Sequence, residues 1–359
     1  MSKASFLRSR WFEDIPVGEF HVFGSYTLSE QEMVDFGRGA YPVIIDLDGD
    51  DILDLVVSNK EQYIGVNETP SSVVLFKNTG TPEHPVFTKE TQQSIDITTY
   101  GIESSAPAIG DLDGDGDMDI ILGDELGRLH YFENLAGGGV WPQYEVSALS
   151  ISDNSGTTID IGQFATPQLI DVNSDELLDL IVGEKNGILN LFLNCGTPNS
   201  PSWCQLITDE FGEAWGNIHV ANALGINGYS TPALVEDSLG IHILASNELG
   251  TIQYFGLVSE DLVEEHFELT SSVLNHASGY RSACSFADFN SDGKLDCLIG
   301  IQNGGLRCYS GSDSVDISIP LIDFVQSPRF KIYPNPGSGV LNWTSEVNGV
   351  DMEVFNTTG

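Results

Sequence analysis

The chain has 359 residues and carries 53 acidic against 14 basic side chains, a formal net charge of −39. That balance excludes binding dominated by nucleic-acid phosphates or by an anionic membrane surface, both of which need clustered Lys and Arg, and it favours divalent cations. A hydrophobic content of 41% suffices for a core, and 38 glycines among many Asp, Asn and Ser indicate a turn-rich β-structure.

Residues 1–35 read as part of a preceding blade. They hold Lys3, Arg8 and Arg10 and then Trp11-Phe12-Glu13-Asp14, without the apolar centre of a signal peptide. A leader, if the protein is exported, is expected upstream of Met1. No apolar run reaches the ~18 residues of a membrane-spanning helix.

From residue 36 to 311 one pattern recurs. Its first block is Tyr41-Pro-Val-Ile-Ile-Asp46, then Ala106-Pro-Ala-Ile-Gly-Asp111, Thr166-Pro-Gln-Leu-Ile-Asp171, Thr231-Pro-Ala-Leu-Val-Glu236 and Ala283-Cys-Ser-Phe-Ala-Asp288. Successive copies lie 65, 60, 65 and 52 residues apart. A second, wholly apolar block follows at constant offset, as in Met118-Asp-Ile-Ile-Leu-Gly123 and Leu178-Asp-Leu-Ile-Val-Gly183. Apolar residues without alternation predict a strand buried on both faces. The third block, such as Leu129-His-Tyr-Phe132, alternates and predicts a half-buried strand. A more polar fourth strand fits Tyr144-Glu-Val-Ser-Ala-Leu149. Four-stranded units repeated about an axis predict an all-β propeller.

The turns between the first and second blocks carry the chemistry. Asp111, Asp113, Asp115, Asp117 and Asp119 stand at alternate positions of one nine-residue loop, with Gly116 at its sixth position. Oxygen ligands so spaced wrap a hard cation, and glycine permits the reversal. The same scheme gives Asp46, Asp48, Asp50 and Asp54, then Asp171, Asn173, Asp175 and Asp179, then Asp288, Asn290, Asp292 and Asp296. The seventh position would offer its backbone carbonyl: Ile52, Asp117, Leu177 and Lys294. These loops hold 17 of the 53 acids, a density whose repulsion a divalent ion offsets. Glu176 at the sixth position should weaken the third loop. The fourth repeat, around Glu236, lacks the spacing and should hold no metal. The loops are not EF-hands, because the twelfth position is apolar (Val57, Leu122, Val182 and Ile299). Up to four structural Ca²⁺ are expected.

These repeats resemble the FG-GAP/VCBS family of integrin α-subunit propellers and bacterial surface proteins. The resemblance implies a closed ring, commonly of seven blades, with calcium in the acidic hairpins. Since five repeats are visible, it implies further blades upstream of Met1.

Residues 312–327 read as a linker. Residues 328–359 follow with Tyr333-Pro334-Asn335-Pro336, Gly339 and a closing Val354-Phe-Asn-Thr-Thr-Gly359. By turn chemistry this is a strand, a turn and a second strand. It resembles a truncated C-terminal β-sandwich sorting domain of type IX secretion in Bacteroidota, which implies that secretion machinery as a partner and an extracellular or outer-membrane location.

Cys195 and Cys204 flank a Pro/Asn/Ser loop, where either a small disulfide or two free thiols would fit. Cys284, Cys297 and Cys308 fall in strand-like positions and read as core. His130 and His242 read as structural, and Trp141, Trp203 and Trp215 as anchors in inter-strand loops. No Gly-x-Ser-x-Gly, His-Glu-x-x-His or phosphate-binding Gly-Lys-Ser is present. The expectation is a calcium-binding interaction or adhesion module, not an enzyme, with a protein or glycan ligand. The rival is a polysaccharide-active enzyme or glycan-binding module on the same scaffold, which would need basic residues clustered at a central pocket.

Overall fold

The computed structural model describes residues 39–309, except 61, 65–66, 70, 91–94, 96, 208–213, 221–227, 238–239, 259–266, 268, 276–280, 301 and 303–304. The preceding blade, the linker and the sorting motif Tyr333, Pro334, Asn335, Pro336 and Gly339 lie outside the described residues.

Each repeat forms one antiparallel sheet whose strands lie in chain order. Blade 1 is Tyr41–Ile45, Asp54–Asn59, Ser72–Asn78 and Phe87–Lys89. Blade 2 is Ala106–Gly110, Asp119–Gly123, Leu129–Asn134 and Tyr144–Ala148. Blade 3 is Thr166–Ile170, Asp179–Gly183, Leu189–Asn194 and Trp203–Ile207. In blade 4 the inner strand is split into Thr231–Pro232 and Val235–Asp237, beside Gly240–Ser246, Thr251–Leu257 and Ser271–Asn275. Of blade 5, Ala283–Ala287, Asp296–Gly300 and Leu306–Tyr309 are described. A small hairpin, Gln62–Ile64 with Asn67–Thr69, interrupts the second turn of blade 1.

The apolar second strands are buried throughout because both of their faces meet a neighbouring blade. In blades 1, 2 and 3 the third strands are more buried than alternation predicts, for the same reason. Clear alternation appears on the outer strand Tyr144–Ala148 and on the inner strand Tyr41–Ile45. Each core cluster spans two blades. Leu47, Val56 and Leu75 of blade 1 pack on Ile109, Ile120 and Phe132 of blade 2.

Blade 5 packs on blade 1 in the same manner, with Phe289 and Leu298 against Leu55, Val57, Val74 and Phe76. The Ile44 N–H donates to Ser285 Oγ at 3.1 Å and the Gly39 N–H to the Gln302 carbonyl at 3.1 Å. The ring therefore closes on five blades. This corrects the expected seven-bladed ring: the fifth joint is filled, so no open sheet face remains there for further blades.

All five joints share one device. Near the end of each second strand stands Ser58, Gly123, Gly183, Ser246 or Gly300. Each faces a backbone carbonyl of the next blade, belonging to Ser105, Ala165, Ser230, Ser282 and Ala40 respectively. Where the residue is glycine, an added Cβ would overlap that oxygen. Where it is serine, the hydroxyl donates to it at 2.5 Å.

Cys195 and Cys204 are joined in a disulfide, their Cα atoms 5.6 Å apart. Cys284 and Cys297 are buried, but Cys308 is exposed, a correction to its reading as core, because it points away on a strand where Arg307 and Tyr309 point in. Trp203 lies within the outer strand of blade 3 rather than a loop, and Trp215 is fully buried against Phe267.

Candidate metal centre

The acidic loops sit at the C-terminal ends of the inner strands. Their aspartates have three distinct tasks. The first carboxylate folds the loop: Asp111 accepts from the Gly114 N–H at 2.7 Å and the Gly116 N–H at 3.1 Å. Asp46 does the same with Gly49 and Asp51, and Asp288 with Asp292 and Gly293. Asp171 accepts from Asp175 and Glu176. Each loop takes the left-handed conformation twice, at its fourth and sixth positions. Gly49, Gly114, Ser174 and Ser291 fill the fourth; Asp51, Gly116, Glu176 and Gly293 fill the sixth. Sequence reasoning found only the sixth.

The fifth carboxylate caps the following turn. Asp50, Asp115, Asp175 and Asp292 each accept from the seventh residue's N–H, at 3.0 Å in every loop.

The ninth carboxylate is a pin. Asp119 is fully buried and accepts from Leu112 N–H at 3.1 Å, Asn134 N–H at 2.8 Å and the Tyr131 hydroxyl at 3.1 Å. Asp54 and Asp179 hold Leu47 and Asn78, and Val172 and Asn194, in the same way. Burial outweighs these donors and pushes Asp54 and Asp179 up to about 6 and Asp119 up to about 7. The partner asparagines, Asn78, Asn134 and Asn194, had no role in the sequence reading. Their side-chain oxygens accept N–H groups on both sides of the next turn, as Asn134 does from Ala136 and Gln143.

In blades 1 and 2 these tasks leave carboxylate oxygens converging. Asp46, Asp48 and Asp50 offer oxygens within 4.8 Å of one another, as do Asp111, Asp113 and Asp119. Among the described residues, two buried oxygens in the blade 1 and blade 2 loops have no hydrogen-bond partner, Asp48 Oδ1 and Asp117 Oδ1. Asp117, expected to act through its carbonyl, is 3% exposed and turns its carboxylate inward. Its other oxygen accepts from Gly137, and burial with the nearby Asp115 charge raises it to about 6. Unshared buried acceptors of like charge fit a divalent cation.

The loops differ in what they place nearby. In blade 1 the Lys77 ammonium contacts Asp48 and lies 3.5 Å from Asp50. In blades 3 and 5 an amide replaces the third carboxylate: Asn173 donates to Asp175 at 3.1 Å and Asn290 to Asp292 at 3.4 Å. Glu236 lies exposed on a short strand. His130 is buried, its Nδ1 accepting from Ser150 N–H while Nε2 faces Asp124 at 3.2 Å.

A sequence profile described as an FG-GAP-like repeat matches residues 46–122, from the acidic loop of blade 1 to the second strand of blade 2. No curated protein matches. Among solved structures, the chain is similar to an engineered GH43 glycoside hydrolase described as having endo-xylanase and exo-arabinofuranosidase activity. The identity is 12% and the TM-score 0.43, over 76% of this chain and 50% of that one. The chain thus spans about half the length of that enzyme. It is also similar to an arginine triple mutant of AofleA from Arthrobotrys oligospora (11% identity, TM-score 0.44, 78% and 86% of the two chains). A third is a lectin of Agrocybe aegerita described as recognising non-reducing terminal N-acetylglucosamine (15% identity, TM-score 0.38, 77% and 82%). A glycoside hydrolase among these neighbours corrects the expectation that the chain is not an enzyme. Missing motifs do not decide that question.

Proposed function

We propose that the ring is a calcium-stabilised interaction module working outside the cell, at the cell surface or free of it, and exported by type IX secretion. Bound calcium would supply positive charge that ties the two strands of a hairpin otherwise held apart by its own carboxylates. In blade 2 its holders would be Asp111, Asp113, Asp115, Asp117 and Asp119; the equivalent residues serve in blades 1, 3 and 5. The observation that carries the reading is the pair of buried, unpartnered oxygens at Asp48 and Asp117 beside converging carboxylates.

Two further features support it. The Cys195–Cys204 disulfide belongs to an oxidising compartment. Oxygen-only ligand sets suit the millimolar calcium found outside cells, with dissociation constants of about 10⁻⁴–10⁻³ M. Calorimetric titration of the chelator-treated protein tests the reading. Calcium should bind at two or more sites with constants in that range and magnesium much more weakly. No heat and no change in melting temperature would overturn it.

A further inference from the structure

At the other end of the inner strands from the acidic loops, five equivalent residues ring the mouth of the central cavity. They are Gly39, Ser104, Phe164, Tyr229 and Arg281, each two residues before an inner strand. All five are left-handed, with φ of 66°, 52°, 59°, 46° and 49°. In four of them the N–H donates to a turn carbonyl of the preceding blade: Gln302, Glu125, Lys185 and Glu248. The joint thus imposes the conformation. Glycine meets it without strain at position 39, whereas an aromatic or arginine residue there costs of order 1 kcal/mol or more. Phe164, Tyr229 and Arg281 make the joint with their backbones and, where glycine would be less strained, also bring large side chains to this mouth.

Those side chains form one group. The Arg281 guanidinium carbon lies 3.5 Å from the Tyr229 ring centroid and 5.0 Å from that of Phe164, and the two rings meet edge to face at 5.1 Å. Lys60 brings its ammonium 6.0 Å from the Phe164 centroid. Both cations are thus within about 11 Å of each other. Among the described residues neither pairs with a carboxylate, although the chain carries 53 acids. Below the mouth, the inner strands enclose a cavity of about 180 Å³ lined in part by Tyr41, Gln168 and Ser285. A guanidinium lying on a ring keeps its N–H edges free, the geometry that grips a carboxylate or sulfate in bidentate fashion.

We infer that this mouth binds an anionic saccharide, its acidic group held by Arg281 and Lys60 and its sugar ring laid on the Phe164–Tyr229 surface. The inference deepens the interaction-module reading by naming its ligand class, and it does not depend on calcium. A saccharide fits better than an acidic peptide. The rim also holds Glu125 and Glu248, whose backbone carbonyls anchor Phe164 and Arg281. The hydroxyls around a sugar ring can donate to rim acidic side chains while its acid faces the cations, whereas the side chains of an acidic peptide only accept and leave donation to its backbone N–H groups.

The test is titration of the full chain in calcium, at low salt, with trigalacturonate, a sulfated tetrasaccharide, neutral galactotriose and a triglutamate peptide. One of the two acidic sugars should bind, and which one identifies the acid. Galactotriose and the peptide should bind at least tenfold more weakly. Arg281→Gln and Lys60→Gln should each weaken the acidic sugar about tenfold or more, and Phe164→Gly should weaken it while raising the melting temperature. The rise in melting temperature on adding calcium to chelated protein should be the same in all three variants as in the parent, which separates failure of this site from failure of the metal reading. The inference is overturned if neither acidic sugar binds, if the neutral sugar or the peptide binds as tightly, or if Arg281→Gln leaves binding intact.

Discussion

The backbone N–H of Asn134 donates to Asp119 Oδ1 at 2.8 Å across fifteen residues. That bond ties the end of a blade's third strand to the start of its second. The same aspartate also catches Leu112, at the end of the inner strand. One buried carboxylate thus fastens three strands, while Asp111 and Asp113 bring carboxylate oxygens within 4.8 Å of it.

The two tasks can be told apart. Asp113→Ala should remove one calcium site and lose about 2.7 kcal/mol when calcium is a hundredfold above its dissociation constant. It should lose little in chelator. Asp119→Ala leaves buried donors without an acceptor and should cost about 3 kcal/mol in chelator as well. Melting both variants with and without calcium checks this. Equal behaviour of the two would refute the division.

The pH dependence follows from the raised pins. Asp54, Asp119 and Asp179 titrate at about 6 to 7 in the folded chain and near 3.8 when unfolded. Between those values the native state holds more protons, so its stability falls as pH rises. In chelator the melting temperature should drop from about pH 4 to about pH 7, and calcium should flatten the drop. A chelated protein that gains stability across that window would contradict the assignment.

Lys77 competes for the blade 1 loop, because its ammonium touches Asp48 and approaches Asp50. Lys77→Ala should raise that loop's calcium affinity by about tenfold or more, since a like charge a few ångströms away opposes the ion. Calorimetry would register the strengthened site. An unchanged affinity would place the calcium elsewhere.

At the closing joint, Gly300→Ala should cost about 3 kcal/mol, as overpacking against the Ala40 carbonyl forces blade 5 away from blade 1. Ser246→Ala, which loses one hydroxyl donor, should cost about 1 kcal/mol. Denaturant midpoints for both variants decide the matter. A silent Gly300→Ala would mean that the joint has slack.

The strands and acidic loops were legible because repetition and apolar runs are written in residue types. The joint was half legible: Gly123, Gly183 and Gly300 recur visibly, but Ser58 and Ser246 meet the same carbonyl by a different chemistry. The blade number was not legible, because closure is a contact between the first and last repeats and no spacing records it. The mouth was hidden for a further reason. Gly39, Ser104, Phe164, Tyr229 and Arg281 share a backbone conformation and no side-chain property. Lys77 was missed because it reaches the blade 1 loop from the end of another strand.

The closing joint also sets an order of events in folding. Four joints link blades adjacent in the chain, but the bond from Ile44 to Ser285 spans 241 residues. Bringing such distant ends together carries a larger entropy cost than forming any single blade or neighbouring pair. Blades should therefore assemble locally and the ring should shut last. Weakening Gly300 or Ser285 would then speed unfolding while leaving the early folding rate nearly unchanged, a kinetic signature of a latch.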